Sequence, residues 1–198
     1  MIEIKNLTKK FNKFTALNQV NIRFNDGHSV ALIGPNGCGK TTLIKCILGL
    51  NVVEDGDILV NNESVKEHYL YRKNIGYMPQ IGRYPENMTI AQTIQMIKDT
   101  LKVSESELDT ELLEAFELKS IFDKKMRTLS GGTTQKVSAV LAFLFNPGII
   151  ILDEPTTHLD LVHKATLLKL LQKLTHETGK TILYSTHDID LAIQMTDE

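Results

Sequence analysis

Long apolar runs are missing from this 198-residue chain. None approaches the roughly 20 residues that a membrane-spanning helix requires, so no segment reads as crossing a bilayer. The amino end, MIEIKNLTKKF, alternates polar and apolar residues and lacks the apolar block of a signal peptide. Cysteine is scarce. Cys38 and Cys46 are the only two, too few for a disulfide framework; with no targeting signal, the expected location is the cytoplasm. Positive charge is not in excess either. A formal net charge of -2 argues against general binding to nucleic acid, which calls for a basic surface. Linkers, low-complexity tracts, internal repeats and heptad stretches are all absent.

What remains is an ordinary globular composition, 42% hydrophobic and 23% charged, in a chain long enough for one sizeable core or a core with a small lobe. SVALI (residues 29–33), IIIL (149–152) and TILY (181–184) are short β-branched and leucine runs. Such runs are expected to be strands buried on both faces, as in a parallel sheet. Helical patterns lie between them, at 42–50 and at 161–175, where Leu167, Leu170, Leu171 and Leu174 share a face. The first sixty residues differ: MIEIKNL, ALNQVNIRF and GDILVN alternate and are broken by Asn and Gly, the pattern of an antiparallel lobe. From about residue 86 to 145 the pattern is helical. Thr89 with Gln92, and Ser104 with Glu107, fit the capping box; behind them Ile90, Ile94 and Ile97, then Leu108, Leu112 and Phe116, space out as helix faces.

GPNGCGKTT, Gly34 to Thr42, has the form G-x-x-x-x-G-K-[ST] between an expected strand and an expected helix. Its glycines let backbone N–H groups converge on phosphate oxygens, and the helix start adds positive potential. Lys40 can reach terminal phosphates and the Thr41 hydroxyl can ligate Mg²⁺. Cys38 lies inside this loop, where its backbone matters more than its thiol, and both cysteines are expected to be inert packing. IIIL delivers Asp153 and Glu154 to the crevice beyond the strand ends, where ligands of open α/β sheets bind. Asp153 is placed to hold Mg²⁺ through water, and Glu154 to orient and deprotonate an attacking water. TILYSTHD brings His187 to the same edge. His158 and His163 have finger-like spacing, but no cysteine pair accompanies them, so zinc is not expected.

A second Gly-rich stretch, LSGGTTQKV at 129–137, precedes another apolar helix. Together with GPNGCGKTT, YMPQ, IIILDE, THLD and STHD, in that family's order, it resembles the nucleotide-binding domain of ABC-type ATPases over essentially the whole chain. The resemblance implies one such domain over 1–198: an α/β P-loop NTPase core with a mostly parallel sheet, an N-terminal antiparallel β lobe and an inserted helical subdomain. The ligands it implies are ATP, on Gly34, Pro35, Asn36, Gly37, Cys38, Gly39, Lys40, Thr41 and Thr42, and Mg²⁺, on Thr41, Gln80 and Asp153. Phe11 takes the place of the aromatic residue that stacks on adenine, with Ala16 nearby. Glu154 is implied as catalytic base, Gln80 as the sensor of Mg²⁺ and γ-phosphate, and His187 as the γ-phosphate contact. Ser130, Gly131 and Gly132 would serve the ATP of a second copy in a head-to-tail dimer, and Asp160 would communicate across that dimer.

Three departures stand out. Thr133 occupies the place of a glutamine, Phe11 that of a commoner tyrosine, and His158 that of the glycine before Leu159-Asp160. The end at Glu198 reads as short relative to the family. The expected job is the ATPase subunit of an ABC transporter with separate membrane subunits, docked on residues 81–94, where Arg83, Tyr84 and Pro85 are expected to be exposed. IGYMPQIGRYPENMTI and LSGGTTQKVSAVLAFLFNP look like the NosF-type ATPases, which accompany a membrane protein in copper-site maturation of nitrous oxide reductase. The alternative is a soluble ABC ATPase in an assembly role such as iron–sulfur cluster biogenesis. A binding module without turnover fits less well with Lys40, Asp153, Glu154 and His187 all present.

Overall fold

In the computed structural model, which describes residues 1–195, the chain begins with a hairpin of β1 (Ile2–Phe11) and β2 (Phe14–Phe24). Asn12 turns it at φ 53, a left-handed conformation that asparagine tolerates better than most residues. Next come β3 (Ser29–Ile33), α1 (Lys40–Ile47), β4 (Asp55–Val60), β5 (Glu63–Ser64) and β6 (Ile75–Met78). The helical stretch follows with α2 (Ile90–Leu101), α3 (Glu111–Ala115) and α4 (Gly131–Phe143). The chain then runs through β7 (Ile149–Asp153), α5 (Leu161–Thr178), β8 (Thr181–Thr186) and α6 (Ile189–Met195).

Two four-stranded sheets result. One is antiparallel with order β2-β1-β4-β5; the other has order β3-β8-β7-β6 and is parallel throughout. The parallel sheet explains the unbroken apolar runs. Ile150, Leu152, Ile182 and Tyr184 enter one core with α4 and α5, while Ile149, Ile151 and Leu183 enter a second core with α1 and the antiparallel sheet. Side chains alternate across a strand, so a strand covered on both faces has no polar face to show. β7 and β8 are buried along their whole length, but β3 is not: Val30, Ala31 and Leu32 are half-buried and Ile33 is exposed. Among the described residues β3 has a strand neighbour on one side only, which its sequence could not reveal.

Helices agree with the pattern where the apolar spacing is long and diverge where it is short. Thr89 caps α2 in a full capping box with Gln92. Ser104 and Glu107 close the second box, yet it opens only a 3-10 turn at Glu105–Glu107, and α3 is just five residues long. The expected second face breaks there, because Leu108 is already extended and Phe116 caps the helix C-terminus. Even so, Leu112 and Phe116 reach the core. α1 starts at Lys40, two residues earlier than the apolar spacing indicates.

α4 closes the helical stretch by lying against β6 and β7. Its approach to β6 is tight: a Cβ added at Gly76 would stand 1.9 Å from the Ala142 carbonyl oxygen. Backbone cannot yield as a flexible side chain does. We therefore expect Gly76→Ala to lower the unfolding free energy by about 3 kcal/mol, read from urea denaturation of the whole chain. An unchanged midpoint would show that α4 does not press on β6 in solution.

Candidate functional site

Because β3, β6, β7 and β8 run parallel, their carboxyl ends empty at one edge of the sheet. That edge receives the Gly34 loop after β3, Gln80 after β6, Asp153 and Glu154 after β7, and His187 after β8. A cleft of about 350 Å³ opens there, lined by the loop residues Asn36, Gly37 and Gly39, by Lys40, Thr41 and Thr42 of α1, and by Gln80 and Glu154. Its far wall is Phe11, Phe14 and Ala16 of the β1–β2 hairpin.

The loop geometry follows from one glycine above the others. Gly39 caps α1 at φ 104, and a Cβ there would come within 2.9 Å of the Ala16 carbonyl and 3.0 Å of Leu17 Cδ2. No L side chain fits, so the loop wraps β2 closely and Lys40 becomes the first helical residue. Lys40 Nζ donates to the carbonyls of Gly34 at 2.6 Å and Pro35 at 3.2 Å. Cys38 is exposed at the loop surface rather than packed inside, whereas Cys46 is buried in the second core. Burial raises the Cys46 thiol above its ordinary range, so the expectation of inert packing holds for Cys46 only.

Across the cleft, Glu154 is 5% exposed and Asp153 1%. Glu154 Oε1 lies 3.8 Å from Lys40 Nζ, and Oε2 is 2.8 Å from His187 Nδ1. His187 itself reaches into solvent, its side chain 64% exposed. Ser185 stitches this corner together: its hydroxyl donates to Asp153 Oδ1 at 2.6 Å and accepts from the Glu154 N–H at 3.0 Å. The same N–H also meets the Ser185 carbonyl, and Glu154 is held at φ 52, a left-handed conformation that costs a non-glycine residue about 1–2 kcal/mol.

A cation fits this corner on the chemistry of its donors. Asp153 Oδ2 and Glu154 Oε1 are buried with no hydrogen-bond partner among the described residues. Thr41 and Gln80 line both the first cleft and the adjoining one that holds Asp153. Carboxylate, hydroxyl and amide oxygens are the hard donors that suit Mg²⁺. Tyr77 faces the second cleft too; burial first, then the charges of Asp153 and Tyr84, hold its phenol protonated well above the ordinary range.

The LSGG turn lies elsewhere. Ser130 caps α4, accepting from the Thr133 N–H at 3.2 Å. Ser130 and Gly131 are exposed, and neither lines the phosphate-loop cleft. Gly132 sits under the next loop, where an added Cβ would be 3.1 Å from the His158 carbonyl. His158 adopts φ 66, so a residue with a Cβ stands in a left-handed position that suits glycine. Asp160 caps α5.

Sequence reasoning singled out Arg83, Tyr84 and Pro85 as exposed, and Tyr84 corrects this. Its hydroxyl bonds Ser138 at 2.9 Å and its ring packs on the core, and burial raises its phenol above the usual range. Phe14, Ser185 and Tyr77 were missed. Phe14 pairs with Phe11 across the hairpin, and only that register reveals it. Ser185 had a visible signal, a polar residue at the end of a fully apolar strand.

A family model described as ABC transporter matches residues 17–157. The sulfate/thiosulfate import ATP-binding protein CysA of Pectobacterium atrosepticum is 33% identical over 203 residues, which cover 99% of this chain and 62% of that protein. CysA of Synechocystis sp. is 34% identical over 200 residues, covering 100% of this chain and 56% of that protein. The chain thus spans only 56% and 62% of the length of these two curated relatives. A solved ATP-binding subunit of an ABC transporter matches with TM-score 0.91 and 31% identity, covering 99% of this chain and 83% of that one. A dimeric ATP-binding cassette in a post-hydrolysis state, bound to ADP and Pi, matches with TM-score 0.88 and 30% identity, covering 98% and 91%.

We expect Ser185→Ala to strand the Glu154 N–H and the Asp153 carboxylate and to cost about 1–3 kcal/mol of stability. His187→Ala removes a partner of Glu154 from an exposed ring, where water can take its place, and should cost less, under about 1 kcal/mol. Chemical denaturation of both variants checks the contrast; equal losses would refute the buried bridge.

Proposed function

The chain belongs to the ABC transporter family, and from that premise we propose that it binds and hydrolyses ATP as the ATP-binding subunit of an ABC transporter. The convergence of Lys40, Glu154 and His187 at the phosphate-loop cleft, with Ser130 and Gly131 exposed outside it, carries this reading. The triphosphate lies on Gly34–Thr42, where converging N–H groups and the start of α1 favour anionic oxygens. Lys40 exchanges its two carbonyl acceptors for phosphate oxygens, which form stronger, charge-assisted bonds. The adenine ring stacks on Phe11 beside Phe14. Thr41, Gln80 and Asp153 would hold Mg²⁺, whose charge, when bound, offsets that of the β- and γ-phosphates.

Glu154 is the proposed base. It takes a proton from the water that attacks the γ-phosphorus, while the bridging oxygen leaves with ADP. His187 Nδ1 lies 2.8 Å from Glu154 Oε2, so turning His187 toward the γ-phosphate frees that oxygen for the water. Hydrolysis by such a site is mostly positioning and charge stabilisation.

The site is completed in a head-to-tail dimer. Ser130 and the Gly132 N–H of one copy cover the ATP held by the other, and ATP-driven closure and opening move separate membrane subunits. No helix of the described residues is long and apolar enough to cross a membrane. In this reading separate membrane subunits hold the chain at the cytoplasmic face through residues 81–94, where Ile81, Arg83 and Pro85 are exposed. The names of the CysA relatives favour sulfate or thiosulfate import as the transported class. The likeness of residues 75–90 and 129–147 to NosF-type ATPases favours copper-site maturation of nitrous oxide reductase.

Glu154→Gln should lower phosphate release at least about 100-fold while ATP binding persists, and should accumulate dimer by light scattering. Ser130→Arg should likewise retain ATP binding on its own loop and lose turnover. Undiminished hydrolysis in the first variant overturns the base, and in the second the shared site. Purification from membranes identifies the companion: sulfate-importer membrane subunits and a copper-maturation membrane protein separate the two cargo readings, and a strictly soluble companion would favour the assembly role instead.

A further inference from the structure

The loop after β7 and the start of α4 are joined by a chain of three side chains that the cleft does not use. Asp160 Oδ1 accepts from the His163 N–H at 3.0 Å, and its two carboxylate oxygens lie 2.7 and 2.6 Å from His163 Nδ1. On the other side of the ring, His163 Nε2 is 2.8 Å from Lys136 Nζ. An ammonium group only donates, so Nε2 accepts and the ring proton belongs on Nδ1, facing Asp160. The chain is therefore directional: Lys136 to imidazole to carboxylate. The ring is held in place, its side chain 22% exposed and its edge packed on Phe116 at 5.1 Å between centroids. Hydrogen bonding to His163 holds the Asp160 carboxyl below its ordinary range.

Two consequences follow for the segments involved. Both oxygens of Asp160 are engaged by residue 163 of the same chain, which fixes the orientation of the carboxylate while its remaining lone pairs face solvent. Lys136 lies on α4 one to two turns beyond Ser130, and the Gly132–His158 backbone approach clamps the same two segments at a second point. The relay therefore braces α4 against the loop that ends at Asp160.

We propose that His163 is a positioning residue: by relaying Asp160 to Lys136 it fixes the 157–160 loop to the Ser130–Gly132 turn, so that both meet a partner's nucleotide as one rigid piece. This rests on the head-to-tail dimer proposed above. Asp160 then acts through its own chain's signature turn as well as at its exposed carboxylate. His163 lies outside the nucleotide cleft, so breaking the relay slows turnover without weakening ATP capture.

The test uses the whole chain. His163→Ala and Lys136→Met should each lower kcat about tenfold with KM for ATP unchanged; the midpoint should hold in Lys136→Met and fall modestly in His163→Ala, which also loses packing on Phe116. His163→Gln, which keeps one donor and one acceptor, should recover most of the loss. Combining Asp160→Asn with Lys136→Met should cost little more than either alone, because both cut one chain. Imidazole ¹⁵N spectra of the nucleotide-free protein should place the His163 proton on Nδ1, and Lys136→Met should release that preference. Wild-type kcat in His163→Ala overturns the proposal, as does a loss that appears in KM and midpoint together. A proton found on Nε2 overturns the relay whether or not the chain hydrolyses ATP. Absence of turnover in the wild type, with ¹⁵N spectra as expected, overturns the dimer reading and the positioning role built on it.

Discussion

The pairing of Asp153 with Ser185 across β7 and β8 is the constraint on which the site depends. Both strands are buried on both faces, and a slip of one residue would send Ile150, Leu152, Ile182 and Tyr184 to the wrong core. Two cores thus fix one register, and the register puts a serine hydroxyl between an aspartate and the next residue's N–H. That N–H also reaches the Ser185 carbonyl, and the chain leaves the strand at φ 52. From this point Glu154 faces Lys40 and His187. The geometry proposed for catalysis is therefore set by hydrophobic packing some distance away, through a single hydroxyl.

The corner so made is deliberately incomplete in its electrostatics. Two carboxylates are nearly removed from water while Asp153 Oδ2 and Glu154 Oε1 lack hydrogen bonds among the described residues. Burying an ionised carboxylate is costly unless it is paired, and the pairing present, an ammonium at 3.8 Å and a solvent-facing imidazole, is partial. Left-handed backbone at Glu154 and His158 adds further local cost. A divalent cation and a polyphosphate with its own charge pattern would relieve these costs together. The loop contributes the complementary half, since Lys40 rests on carbonyl oxygens that a phosphate readily outcompetes.

Much of this was legible in the chain, and for reasons that differ by element. The runs at 149–152 and 181–184 announced a buried parallel sheet because coverage on both faces removes polar alternation. The run at 29–33 looked the same, yet among the described residues β3 has one strand neighbour and is only half-buried beyond Ser29, with Ile33 exposed; apolar content does not report the number of strand neighbours. The phosphate loop and its lysine were legible because backbone demands, glycine at Gly39 above all, are written directly in residue type. The Ser104–Glu107 box was legible as a cap but not as a short 3-10 turn, since capping chemistry specifies a start and not a length. Tyr84 and Phe14 were not legible. Whether an aromatic residue in a loop or a hairpin turns inward to Ser138 or outward to a cleft is decided by partners distant in sequence.

Thr133 shows how a local departure can be consistent with a shared site. Its N–H donates to Ser130 Oγ, and its own hydroxyl lies 2.9 Å from the same oxygen. A serine hydroxyl offers one hydrogen and two acceptor positions. If the Thr133 hydroxyl donates, Ser130 accepts both bonds and keeps its hydrogen for a third group. That hydrogen then points away from α4, on a residue exposed to solvent at a helix start where an anion is favoured. If Ser130 donates instead, the cap is closed on itself and nothing is left for a phosphate. An approaching negative charge selects between the two, because it attracts the hydrogen of Ser130 outward and leaves Thr133 to donate inward. In the proposed shared site the threonine would thereby act as a hydroxyl support that orients Ser130, and the turn would offer that hydrogen away from its own chain's cleft.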